Sequence, residues 1–122
     1  MAQRFLKIAV VYLFLGALLG IAMGIGQSFT LVPVHAHLLL LGWVSLALAG
    51  VIYHLYPHAG QTLLARIHFW LHNVGLPVFM VSLGLMLTGR TYLMPLVASA
   101  ALVVLVGLAL FAVNVLRNVK TN

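Results

Sequence analysis

Two of the six histidines in this chain, His35 and His37, form an H-x-H pair inside a long apolar stretch. An ionisable residue within a membrane segment is costly unless something uses it, and is by default a candidate for function. Residues two apart on a helix are rotated by about 200°, so the two rings should point to nearly opposite faces at almost the same depth. The pair therefore cannot chelate one small metal ion, but each ring can ligate a separate large cofactor.

Haem meets these requirements, because its flat apolar macrocycle suits a cleft at lipid depth and histidine is a common axial ligand of its iron. Arg90 is expected on the same side of the membrane, where a cation can pair with haem propionates. The sequence thus predicts haem b, with His35 and His37 as ligands of the haem iron and Arg90 as a further cofactor-binding residue. Two histidine ligands would favour electron transfer, whereas an open axial position would permit binding of a diatomic gas.

The other four histidines are expected nearer the opposite membrane surface. His54 lies about 28 Å from His35 along a helix axis, so no single cofactor coordinates both groups. We expect His54 and His68 near the headgroups, where an amphipathic ring is accommodated, and His58 in a solvated loop. His68 and His72 are four residues apart and share a helix face, which is the spacing of a two-histidine metal site. A metal there stays open as a hypothesis.

Composition limits the remaining chemistry. The chain is 65% apolar and 5% charged, with six Lys or Arg, no Asp or Glu and no Cys. Paired-carboxylate catalysis and carboxylate sites for calcium or magnesium are excluded. Iron–sulfur clusters, thiolate zinc sites, disulfides and Cys-anchored haem are excluded as well. Such a composition is typical of a membrane protein.

Four apolar segments fill the chain, and each is long enough to cross a hydrocarbon core, which takes about 20 residues. They run over about Phe5–Ile25, Leu31–Tyr56, Leu63–Leu87 and Leu93–Leu116. The first is longer than the apolar part of a usual signal peptide. The connections between segments are too short to hold a domain. We therefore predict an all-α fold, a single domain over residues 1–122, in which four transmembrane helices form an up-down bundle.

The basic residues predict the orientation of that bundle. Those that flank the two ends and the second connection are Arg4, Lys7, Arg66, Arg117 and Lys120, whereas Arg90 stands alone on the other side. Cytoplasmic loops are enriched in such residues, so both termini are expected in the cytoplasm. The charges are scattered over helix ends, which indicates anchoring to anionic membrane lipid and not nucleic-acid binding. The predicted location is the inner membrane of a bacterium or archaeon.

The run VHAHLLLLGWVSLALAGVIYHLYP at Val34–Pro57, followed by ARIHFWLHNVGLPVFMVSLGLMLTGR at Ala65–Arg90, resembles the tenth and eleventh transmembrane helices of the haem–copper oxidase catalytic subunit. That family includes the nitric oxide reductases. The resemblance implies that His35 ligates a high-spin haem and His37 a low-spin haem. It also places Arg90 near the family's propionate-binding arginines.

The same family implies how so short a chain is completed. Its catalytic subunit has about twelve helices, a copper site and approximate threefold repetition of a four-helix unit. This chain has the size of one such unit. It lacks the family's copper ligands and the carboxylates of its proton path. Whether it is an enzyme therefore stays open, and no catalytic residue is assigned. We expect a homo-oligomer, a trimer before a dimer, with haem at the subunit contacts.

Two other functions stay open at this point. One is a cofactor-free accessory subunit of a larger respiratory membrane complex. The other is a copper-handling membrane protein that uses the six His and five Met as ligands. The Met residues form no tight cluster along the sequence, which argues against copper. A redox partner is a further expectation.

Overall fold

The computed structural model describes residues 1–121, in which all regular structure is helical. Four helices are long and apolar enough to span a membrane. They are α1 (Ala2–Gly26), α2 (Val32–Leu55), α3 (Leu63–Leu87) and α4 (Thr91–Asn118). The predicted all-α class is confirmed, and each predicted segment falls on one of these helices.

The ends of the helices follow from local chemistry. The residue after α1, Gln27, takes a left-handed conformation with φ 50°. Pro33 stands in the first turn of α2, where its missing N–H costs nothing. Thr62 caps α3, since its Oγ1 accepts the backbone N–H of Ala65 at 3.1 Å. After α3 the chain turns at Gly89, whose φ of +120° is strained for any residue with a Cβ.

Helix α2 is not regular along its length. Its middle, Leu38–Val44, is a π-helix, in which each hydrogen bond spans five residues and not four. A one-turn helix, Pro57–Gly60, follows α2, and α4 opens with a 3₁₀ turn at Thr91–Leu93. Short π segments are rare and often occur at functional sites, because they alter which backbone groups are free to bond with neighbours. This one lies directly after the H-x-H pair.

Small residues let the helices approach one another closely. Gly42 of α2 lies against Tyr12 of α1, and Gly107 of α4 lies where an added Cβ would fall 3.3 Å from Leu71 of α3. Close backbone approach through glycine is the usual means of packing helices in a membrane. The tight pairs are therefore α1 with α2 and α3 with α4.

The outward faces of the helices are apolar. Leu116 is 84% exposed, Ile25 81% and Phe14 67%, although all three are large hydrophobic side chains. A chain that showed so much apolar surface to water would aggregate. This surface is suited to lipid, in agreement with helices of membrane-spanning length.

Candidate histidine sites

His35 lies against α1. Its Nδ1 is 2.8 Å from the carbonyl oxygen of Gly16, and its ring covers Gly20, where an added Cβ would fall 2.6 Å from Cε1. A carbonyl only accepts hydrogen bonds, so Nδ1 must donate its proton and the neutral ring keeps the lone pair on Nε2. The glycine at position 20 is what gives the ring room beside the helix.

His37 has the same internal arrangement on another side of α2. Its Nδ1 donates to the carbonyl oxygen of Pro33 at 2.6 Å, one turn earlier in the same helix. Its ring lies beside Phe79 of α3, with 5.2 Å between ring centroids. The two imidazoles therefore contact different neighbouring helices, as the spacing of two residues predicts.

Both rings of the H-x-H pair keep Nε2 free within the described residues, and both are only partly buried. A histidine that binds a metal almost always donates its other ring N–H to a carboxylate or a backbone carbonyl, which fixes the tautomer and turns the lone pair outward. His35 and His37 each show this arrangement. The residues present thus fit an axial ligand of haem iron.

Arg90 lies at the same end of the bundle as the H-x-H pair. It follows α3, and the end of α3 lies close to the start of α2. A Cβ added at Gly84 would lie 3.8 Å from the side chain of Val34 and 3.9 Å from that of Leu31. The Arg90 side chain is exposed, and its backbone N–H donates to the carbonyl oxygen of Leu85 at 3.1 Å. A guanidinium at this position is available to an anionic group of a ligand or a lipid.

His68 and His72 form a second pair of a different kind, buried between the helices. Their side chains are 1% and 0% exposed, and Nε2 of His68 is 3.1 Å from Nδ1 of His72. Nε2 of His72 in turn donates to the carbonyl oxygen of Leu41 at 2.8 Å. Leu41 lies in the π-helical part of α2, so the irregular segment of one helix bonds to a buried histidine of another.

His68 lies in the core of the bundle and not on its surface, where an amphipathic ring would contact lipid headgroups. Its ring is stacked between Phe5 of α1 and Phe111 of α4, at centroid distances of 5.2 and 5.0 Å. Helices α1 and α4, which are distant in sequence from His68, cover this residue. The sequence of α3 alone does not indicate that it is buried. His54 and His58 are exposed, and His58 lies in the one-turn helix Pro57–Gly60 and not in the loop expected from the sequence.

A metal at His68 and His72 would have only these two residues to hold it. In residues 1–121 no group of three or more His, Cys, Asp or Glu lies close enough to hold a metal ion. The two facing nitrogens are joined by a hydrogen bond to each other. A metal site at this pair stays an untested prediction.

One atom of the buried pair has no partner. Nδ1 of His68 is shielded from solvent and makes no hydrogen bond in the described part of the chain. A buried polar atom left without a partner costs about 1–3 kcal/mol. Among the buried side-chain atoms of residues 1–121, Oδ1 of Asn73 shares this state.

A polar cluster around Asn114 lies at the opposite end of the bundle from the H-x-H pair. Nδ2 of Asn114 donates to the carbonyl oxygen of Ala59 at 2.9 Å and to the Tyr53 hydroxyl at 3.3 Å. Its Oδ1 accepts from Thr62 at 3.1 Å and from Asn118 at 2.8 Å. Sequence reasoning missed this cluster, although an asparagine within an apolar helix is a signal that points to such a site.

Comparison of the chain with protein-family models, with curated proteins and with solved structures finds no match.

Proposed function

We propose that this chain is an integral membrane protein that binds haem b through His35 and His37 and that serves electron transfer or the binding of a diatomic gas such as O2 or NO. The observation that carries the proposal is that the two rings have the same pattern of hydrogen bonds. Each donates Nδ1–H to a backbone carbonyl, at 2.8 and 2.6 Å, and each leaves Nε2 free. Bound haem would supply an iron that changes oxidation state or takes up a gas.

The chain's own residues prepare this site. The Gly16 and Pro33 carbonyls hold the two rings in one tautomer, so no proton has to leave Nε2 before it binds a metal. Gly20 provides the space that the His35 ring occupies. Arg90, exposed at the same end, is the proposed partner of a propionate, because a guanidinium binds a carboxylate through two parallel hydrogen bonds.

The proposed topology is an up-down bundle with both termini in the cytoplasm, in the inner membrane of a bacterium or archaeon. Three contacts support antiparallel neighbours. The end of α1 meets the start of α2 at Gly20 and His35, whereas Phe5 near the start of α1 contacts Tyr53 near the end of α2. Thr62 before α3 bonds to Asn114 near the end of α4. With this orientation the haem lies toward the periplasmic side, and anionic lipid contacts the basic residues at the other.

We further propose that the protein is a homo-oligomer, a trimer before a dimer. His35 and His37 contact different helices, α1 and α3, so the two rings lie on different sides of α2. One haem held by His35 of one protomer and His37 of the next would use two different surfaces, and such contacts close into a ring. A twofold dimer would instead bring like histidines together.

The decisive experiment is a spectrum of the purified protein, followed by haem quantification in variants. The wild type should show the reduced-minus-oxidised bands of haem b, and His35→Ala and His37→Ala should each lose most of the haem. His58→Ala is the matched control and should keep wild-type content, because that ring is exposed at a distance from the pair. Full haem content in the double His35/His37 variant would refute the assignment, and a wild type without haem bands would favour a cofactor-free accessory subunit.

Native mass measurement of the detergent-solubilised protein, combined with its haem count, tests the oligomer. One haem per chain in a trimer is the expected result. A stable monomer that carries haem with two histidine ligands would contradict the shared site.

A further inference from the structure

A groove between α1 and α3 lies on the outside of the bundle, with Lys7 at the end that is nearer the start of α1. We propose that this groove holds one anionic phospholipid, with its phosphate at Lys7 and one acyl chain along the groove. The proposal extends the contact with anionic lipid proposed above, and it rests on the chain lying in a membrane and not on haem. Three observations support it: the shape of the groove, the order of polar and apolar groups along it, and the absence of carboxylate side chains.

The groove is formed by two helices and is open to the outside of the bundle. Its volume is about 600 Å³. Val11 and Leu15 of α1 line one side and Pro77 and Val81 of α3 the other, and all four are exposed. Leu38 of α2 is buried and forms part of the floor. An apolar chain can therefore lie between the two helices, in contact with both.

The polar groups of the groove lie at one end of it. Lys7 is exposed, and the half-buried Tyr12 follows about 7.5 Å further along α1. The lining beyond Tyr12 is apolar as far as Leu15 of α1 and Val81 of α3. A phospholipid has the same order of groups, with a charged phosphate, then polar esters, then an apolar chain. The Tyr12 hydroxyl is the proposed hydrogen-bond donor to an ester carbonyl.

The depth of Lys7 in the membrane suits a lipid phosphate. Helix α1 has 25 residues and is about 37 Å long, whereas the hydrocarbon core is about 30 Å thick. With the core centred on this helix, Cα of Lys7 lies just inside its edge. Side chains on a helix lean toward the N-terminus, and a lysine stem can extend along apolar surface to bring its ammonium to the headgroups. The ammonium then meets phosphate beside the groove.

The charge balance of the chain favours lipid as the occupant over a second copy. The chain contains no Asp or Glu. A second copy seated in the groove would offer no carboxylate side chain to Lys7, whereas an anionic lipid brings one negative charge to it. The H-x-H pair contacts α1 at Gly16 and Gly20, which are further from the start of the helix, so haem propionates do not lie at the level of Lys7.

The test is native mass spectrometry of the full chain, purified in detergent without haem and titrated with phosphatidylglycerol. One lipid per chain should be retained more strongly than any further lipid. Phosphatidylcholine with the same acyl chains should be retained several-fold less, because its headgroup has no net charge. Glycerol phosphate, which has the anion without the chains, should not be retained.

Two variants separate the contribution of the headgroup from that of the acyl chain. Lys7→Gln should weaken retention of phosphatidylglycerol about fivefold. Arg117→Gln, an exposed arginine at the same end of the bundle, is the matched control and should leave it unchanged. Val81→Trp fills the groove and should reduce retention of both lipids, whereas Val106→Trp, at an exposed valine of α4, should not.

A third variant tests the polar group inside the groove. Tyr12→Phe keeps the ring that lies against Gly42 and removes the hydroxyl, so it should weaken retention about threefold. If Val81→Trp does not fold, Lys7→Gln and Tyr12→Phe still test the site, because neither changes the packing of the helices.

Three results would overturn the proposal. One is equal retention of phosphatidylglycerol and phosphatidylcholine by the wild type. Another is an equal loss in Lys7→Gln and Arg117→Gln, which would assign the effect to net charge. The third is a Val81→Trp variant that retains its lipid, and a change in its oligomeric state would then assign the groove to a second copy. None of these results bears on the haem proposal, since the protein is measured without haem.

Discussion

The two histidine pairs of this chain use the same side chain in opposite ways. His35 and His37 are partly buried, each bonds to a carbonyl at one ring nitrogen, and each keeps the other nitrogen free. His68 and His72 are fully buried and bond to each other. A spacing of two residues sends the rings to different helices, whereas a spacing of four brings them together on one face. The first pair therefore keeps one unbonded nitrogen on each ring, and the second pair is part of the core.

The largest expected difference between the pairs is in stability. His72→Ala removes a fully buried ring, leaves a cavity and deprives the Leu41 carbonyl and His68 of their partner. We expect it to lower the free energy of unfolding by about 2–4 kcal/mol. His37→Ala should cost less than about 1 kcal/mol, since its ring is partly exposed and bonds to its own helix. Denaturation in detergent without haem measures both, and equal losses would contradict the division into a core pair and a ligand pair.

A smaller effect is expected where the H-x-H pair meets α1. An alanine at Gly20 would place Cβ 2.6 Å from Cε1 of His35, so Gly20→Ala must move that ring or separate the helices. The cost should be about 1–3 kcal/mol, as for other overpacked sites. Gly24→Ala, one turn further along α1, is the matched control, because nothing lies within 4 Å of its Cβ. Thermal unfolding of the two variants checks this, and a Gly20→Ala variant as stable as Gly24→Ala would show that the ring is not held there.

The smallest effect concerns the charges at the two ends of the bundle. Arg90→Gln should weaken haem binding by about 0.5–1 kcal/mol, since an exposed ion pair contributes little, and should lower the midpoint potential slightly. Arg66→Gln, an exposed arginine at the other end, should leave both unchanged. Haem titration and redox potentiometry of the two variants measure the difference. An Arg90→Gln variant identical to wild type would assign Arg90 to lipid.

Local patterns in the sequence were sufficient to predict the number and length of the helices and the different directions of the two rings of the H-x-H pair. The number and length of the helices follow from apolar runs and from the rise per residue, both of which are properties of neighbouring residues. The different directions of His35 and His37 follow from helix geometry alone. The position of Arg90 at the H-x-H end follows from the order of the segments and the short connections between them.

The burial of His68 and His72 was determined by the tertiary structure. Almost every position of these helices is apolar, so no polar face marks which side of a helix points inward. The burial of His68 depends on Phe5 and Phe111, which belong to other helices, and the partner of His72 is a backbone oxygen in the π-helical part of α2. The spacing of four residues determined that His68 and His72 share a face, and only the packing of four helices determined that this face is the core.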